Sequence, residues 1–152
     1  MKQTCVVFAA TVLGILAGLC CARRQETAPL HAEAILGSTA ADLIERLGKP
    51  TQNREGRFVR WADVDGVRVF VAFEEGSDRA AYVAYTFESM VPFDESKAFE
   101  VVGLEPPADG AKAYSDGKAR RWEPYGKYDR LVVSTETKVI ALGTDPFRPR
   151  VP

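Results

Sequence analysis

The chain has 152 residues, with 20 Lys and Arg against 21 Asp and Glu, one His and three Cys. The near-zero net charge argues against a nucleic-acid binder, which presents a net basic surface. All three cysteines, Cys5, Cys20 and Cys21, lie at the N-terminus. The part beyond them therefore has no disulfide, no thiol nucleophile and no thiolate metal site, and the expectation is that the protein uses no metal and no cofactor.

Lys2 precedes a nearly unbroken small and apolar run from Val6 to Ala22. A positive start followed by such a run is the layout of an export segment, residues 1–22. Three readings of it stay open. Cys20 and Ala22 are small enough for cleavage after Ala22. Leu16-Ala17-Gly18 is similar to a lipobox and makes Cys20 a candidate lipidation site, although Leu19 intervenes. Arg23-Arg24 directly after the run favours retention as a membrane anchor, because positive charge there opposes translocation. Each reading places the protein in the cell envelope, anchored, periplasmic or secreted. Residues 23–34 are polar, contain Pro29 and lack periodicity, so they read as a linker, with His31 solvated inside it.

The first folded element is predicted as a helix over Ser38–Gly48. Ser38 or Thr39 caps it, Asp42 completes a capping box, Leu43, Ile44 and Leu47 share a face, and Gly48 followed by Pro50 ends it. Strands are predicted at 58–62, 67–73 and 82–87, with Asp65-Gly66 as a two-residue hairpin turn. After Pro92 the order partly repeats. Asp94 caps a short helix through Val102 that Gly103 stops, and strands follow at 118–122, 130–135 and 138–142. The fold class is α+β, with short helices packed on an antiparallel sheet.

The segment Glu55-Gly56-Arg57-Phe58-Val59-Arg60-Trp61 precedes Asp116-Gly117-Lys118-Ala119-Arg120-Arg121-Trp122 by 61 residues and shares Gly, Arg and Trp with it. Val71 and Val132 keep the same offset. The expectation is two tandem helix-plus-three-strand units, 35–91 and 92–145, joined edge to edge into one six-stranded sheet with its helices on one face. Residues 146–152 form a proline-rich tail.

Leu36-Gly37-Ser38-Thr39-Ala40-Ala41-Asp42-Leu43, closing at Leu47-Gly48-Lys49-Pro50, resembles the SmpA/OmlA family of small outer-membrane lipoproteins, which includes the BamE-like proteins. The resemblance covers residues 35–88. It implies a helix-on-sheet fold and a non-enzymatic envelope scaffold that binds protein partners. That family opens with two helices, of which one is legible here. The tandem layout is also similar to that of β-lactamase inhibitor proteins, which present a sheet to an enzyme. An alternative function is therefore secreted inhibition of a hydrolase.

Catalytic constellations are sparse. Glu74, Glu75 and Asp78 in one loop and Asp94-Glu95 in another leave open a carboxylate-dependent enzyme or small-ligand binder. Asp63-Val64-Asp65-Gly66 is a calcium-loop fragment without its remaining ligands. The candidate partner-binding residues are Arg60, Arg121, Trp122 and Tyr125, because Arg, Trp and Tyr dominate interface hot spots. Adjacent strand residues point to opposite faces, so Trp61 and Trp122 are expected in the core, with Arg60 and Arg121 on the exposed face. Arg68, Arg120 and Arg130 are expected to add to that positive face.

Overall fold

The computed structural model describes residues 28–54, 57–108, 110–111 and 113–144. The expected export segment with Cys20, and the tail from 146 onward, lie outside the described residues. Among the described residues no helix is long and apolar enough to cross a membrane.

Local chemistry builds the helices. In α2 (Ala40–Leu47) the Thr39 hydroxyl accepts from the Asp42 N–H, and the Asp42 carboxylate accepts from the Thr39 N–H at 3.0 Å. This reciprocal pair satisfies two helix-end donors. Leu43 is fully buried and Leu47 half-buried, whereas Ile44, expected on the same face, is 46% exposed. Leu43 and Leu47 are four residues apart and stack on one stripe; Ile44 lies about 100° round the helix. In α3 (Glu95–Val101) the Asp94 side chain accepts from the Lys97 N–H, and Ala98 and Phe99 enter the core.

The stretch expected to be a linker is packed structure from Leu30 onward. Ala32–Ile35 forms a one-turn helix, α1, with Leu30, Ala32 and Ile35 buried. The Ala32 N–H donates to the Val102 carbonyl at 2.9 Å, tying α1 to the end of α3. His31 is half-buried against Gly103, where a Cβ would fall 2.5 Å from the imidazole. One helical turn has no stability of its own, so tertiary packing makes this element.

Eight strands follow: β1 (Gln52–Arg54), β2 (Phe58–Val64), β3 (Val67–Phe73), β4 (Ala80–Thr86), β5 (Tyr114–Ser115), β6 (Arg120–Trp122), β7 (Leu131–Ser134) and β8 (Val139–Gly143). They form one antiparallel sheet in the order β1-β2-β3-β4-β8-β7-β6-β5. The six-strand expectation is corrected to eight, because β1 and β5 are short edge strands with no apolar alternation to reveal them. Asp65 and Gly66 both have positive φ, as a primed two-residue hairpin requires.

β4 and β8 join the two meanders, with Tyr82 opposite Gly143, Val83 opposite Leu142, Ala84 opposite Ala141, Tyr85 opposite Ile140 and Thr86 opposite Val139. One core cluster contains Trp61, Val69, Val71, Val83, Tyr85, Trp122, Leu131, Val133, Ile140 and Leu142 together with Ile35, Leu43 and Phe99 from the helices. The helices therefore share one face of the sheet. The Trp61 indole N–H donates to the Gly48 carbonyl at 2.9 Å, fixing the end of α2 to the sheet. Val71 and Val132, expected to match at the 61-residue offset, face opposite sides. Trp61 pairs with Val69 but Trp122 with Leu131, so the second hairpin is one residue longer.

Gly143 has φ +102°, and a Cβ there would lie 2.2 Å from the Ala81 carbonyl oxygen. Gly143→Ala combines backbone strain with a clash against a rigid neighbour at the seam. It should lower stability by about 3 kcal/mol in urea denaturation. A loss below about 1 kcal/mol, the ordinary cost of an unremarkable substitution, would contradict this account of the seam.

Candidate interaction surface

The face opposite the helices carries no helix among the described residues. In-register neighbours point the same way, and the pairings draw one row straight across the sheet: Arg60, Phe70, Ala84, Ala141, Val132, Arg121. The row is cationic at both ends, bulky and apolar inside each end, and small in the middle. Five strand spacings separate the two arginines, roughly 24 Å along the sheet.

Arg60 is exposed, and among the described residues no ion-pair partner of its guanidinium occurs. The Arg121 guanidinium lies 5.6 Å from the centre of the Tyr114 ring. Its Nε–H is buried without an acceptor among the described residues. Arg68 and Arg130 share this face and are balanced at its margins. Arg68 makes a two-pronged pair with Glu88, at 2.7 and 2.8 Å, and Arg130 lies 3.5 Å from Glu123. Phe58, Phe70 and Tyr82 form an aromatic strip at one end, with ring centres 6.0 and 6.3 Å apart.

The structure separates the residues singled out in the sequence. Arg60 and Arg121 lie on the open face. Trp122 is 7% exposed in the helix-side core, so it offers nothing to a partner. Tyr125 is half-buried against that core, and its hydroxyl donates to the Glu105 carbonyl. Arg120 is on the helix side, where it pairs with Glu95 of α3 and lies 5.5 Å from the Trp122 ring centre. It does not add to the positive face; being two residues from Trp122, it shares that residue's side. The aromatic strip and the alanine floor went unnoticed in the sequence, although Phe70 and Ala72 alternate with the core residues of β3.

The carboxylates are dispersed. Glu74, Glu75 and Asp78 are exposed in the β3–β4 loop, with Glu75 3.7 Å from Arg57. Asp94 is a helix cap and Glu95 holds Arg120. Among the described residues no three His, Cys, Asp or Glu side chains group as metal ligands would.

Comparison with known proteins finds no matching family model, no matching characterised protein and no matching solved structure.

Titration of the molecule follows from its hydrogen bonds and burial. Backbone and side-chain donors of Thr39 hold Asp42 below the usual carboxylate range. The Ala119 and Lys118 N–H groups do the same for Asp116, and Lys127 does so for Glu33. Burial raises the phenols of Tyr82, Tyr85, Tyr125 and Tyr128. A depressed carboxylate stabilises the fold above its unfolded pKa, and that contribution is lost as pH falls through the folded value. A raised phenol stabilises below its unfolded pKa, and the contribution is lost as pH rises. Stability should thus decline below about pH 4 and above about pH 10. In thermal melts across that range, Asp42→Asn with Asp116→Asn should flatten the acid limb alone; an unchanged acid limb would refute these assignments.

Proposed function

We propose that this protein is a non-enzymatic cell-envelope module, BamE-like in role, that binds a protein partner through the open face of its sheet. The observation that carries this reading is the row from Arg60 to Arg121, in which two cations without an ion pair among the described residues flank an apolar centre on a face without helices. Arg120, on the helix side, is by contrast paired with Glu95. Two further facts support the SmpA/OmlA-like reading. The packed α1 supplies a second helix ahead of the first meander, and the export-type N-terminus suits an envelope address, whether that segment is cleaved, lipidated at Cys20 or retained.

We read the fold as two tandem units related by an approximate two-fold axis through the β4–β8 seam. Exchanging Trp61 with Trp122, Arg60 with Arg121, Val83 with Ile140 and Tyr85 with Leu142 leaves the pairing pattern unchanged. This symmetry makes the surface row read alike from either end. The uncovered sheet also favours one alternative, inhibition of a secreted hydrolase, because it is the surface that the similar inhibitor layout presents. A carboxylate-dependent enzyme has less support, since the acidic side chains are scattered over loops and a helix cap.

Crosslinking of tagged full-length protein in the producing cells, followed by mass spectrometry, tests the reading. A recurrent envelope protein should be recovered, and Arg60→Glu with Arg121→Glu should lower its yield about tenfold, as loss of interfacial charge pairs does. A recovered secreted hydrolase, inhibited by the purified protein, would select the inhibitor alternative. Absence of a recurrent partner, or recovery indifferent to both arginines, would overturn both.

A further inference from the structure

Resting on the reading of the open face as a protein-binding surface, we infer that its partner presents an acidic, apolar-centred segment. This segment lies across the strands and carries a carboxylate at each end. Charge segregation is the first argument. The chain as a whole is nearly neutral, at −1, yet among the described residues no in-register position on the open face is Asp or Glu, while Arg60, Arg68 and Arg121 hold register positions there and Arg130, just before β7, is buried at its margin. Glu88 and Glu123 balance Arg68 and Arg130 from the margins. Arg60 and Arg121 remain, one at each end of the row, without an ion pair among the described residues, although Asp116 is near enough to Arg121 for the guanidinium to help lower its carboxyl pKa.

Arg121 supplies the second argument. Its side chain is half-buried and has no ion-pair partner among the described residues, and a guanidinium so placed favours a carboxylate. The guanidinium carbon lies 5.6 Å from the centre of the Tyr114 ring, a cation–π contact that still leaves the charge able to meet a carboxylate. The third argument is the floor. Ala84 and Ala141 stand opposite each other on the two central strands. Ala84 is half-buried and Ala141 buried between the half-buried Phe70 and Val132, so the middle of the row is a shallow apolar floor for a partner's ridge. The required pattern in the partner is acid, apolar centre, acid, spanning roughly 24 Å, the width of five strand spacings. Two isolated cations that far apart suit neither a nucleic acid, whose phosphates are neutralised as a run, nor an anionic membrane, which calls for a polybasic cluster.

Photocrosslinking tests the inference in full-length protein expressed in its own cells. p-Benzoylphenylalanine would replace Thr86 or Val132 on the open face, and Ile44 on α2 as the control. Circular dichroism would confirm that each variant is folded. Adducts should form from Thr86 and Val132 and not from Ile44. The crosslinked partner peptide should carry Asp or Glu on both sides of an apolar centre. Adduct yield should fall about tenfold in R60E, and likewise in R121E, whereas R121K should keep most of it. Because Arg60 is exposed, R60E carries the test even if R121E disturbs the sheet edge. Adducts to a partner peptide without carboxylates, or yields indifferent to R60E, would overturn this inference and leave the protein-binding reading standing. Adducts to lipid or nucleic acid, or adducts from Ile44 alone, would overturn both.

Discussion

The antiparallel seam between β4 and β8 is the constraint on which the molecule depends. Both strands are largely apolar: Val83, Tyr85, Ile140 and Leu142 face the helices, and Ala84, Ala141 and Val139 face away from them together with Tyr82 and Thr86. Left as edges they would be flat, sticky templates for aggregation. Paired with each other they become the centre of an eight-stranded sheet. The edges of that sheet are β1 and β5, three and two residues long. A meander with its helix, at about 60 residues, would bury too little surface to be comfortably stable. Sharing one core through the seam relieves that shortage.

The seam also determines the surface. The helices lie on one side of the sheet, where Leu43, Ile35 and Phe99 meet Trp61 and Trp122 in one cluster. The opposite side is left to short and half-buried side chains framed by arginine. The sheet thus has one face committed to stability and another whose charge pattern the fold does not use. Arg120 and Arg121 illustrate the division. They are adjacent in sequence, yet one closes an ion pair with α3 and the other stacks on Tyr114 at the open face.

What was legible in the sequence was local. The Thr39–Asp42 capping box, the Asp65-Gly66 turn, the alternation of β3 and the Asp94 cap each belong to a few consecutive residues, and they stand where expected. The α+β class with helices on one face followed from them. The short elements were not legible. α1 exists because Leu30, Ala32 and Ile35 find the core and Ala32 finds Val102; β1 and β5 exist because β2 and β6 offer them an edge. The candidate site divided the same way. Arg60 and Arg121 followed from strand alternation beside the tryptophans, and so, by the same rule, did the burial of Trp122. Arg120 stands on the helix side because it is two residues from Trp122 on the same strand. The role of Tyr125 depends on a distant carbonyl, that of Glu105, which no local pattern announces.

Residue-resolved hydrogen exchange of the native protein addresses the seam most directly. If it unites the sheet, the amides paired between β4 and β8 should exchange only through global unfolding, with the same free energy as those of β3 and β7. Early exchange along β4 and β8, with each flanking meander still protected, would mean two independent modules laid side by side, and the continuous surface from Arg60 to Arg121 would lose its foundation.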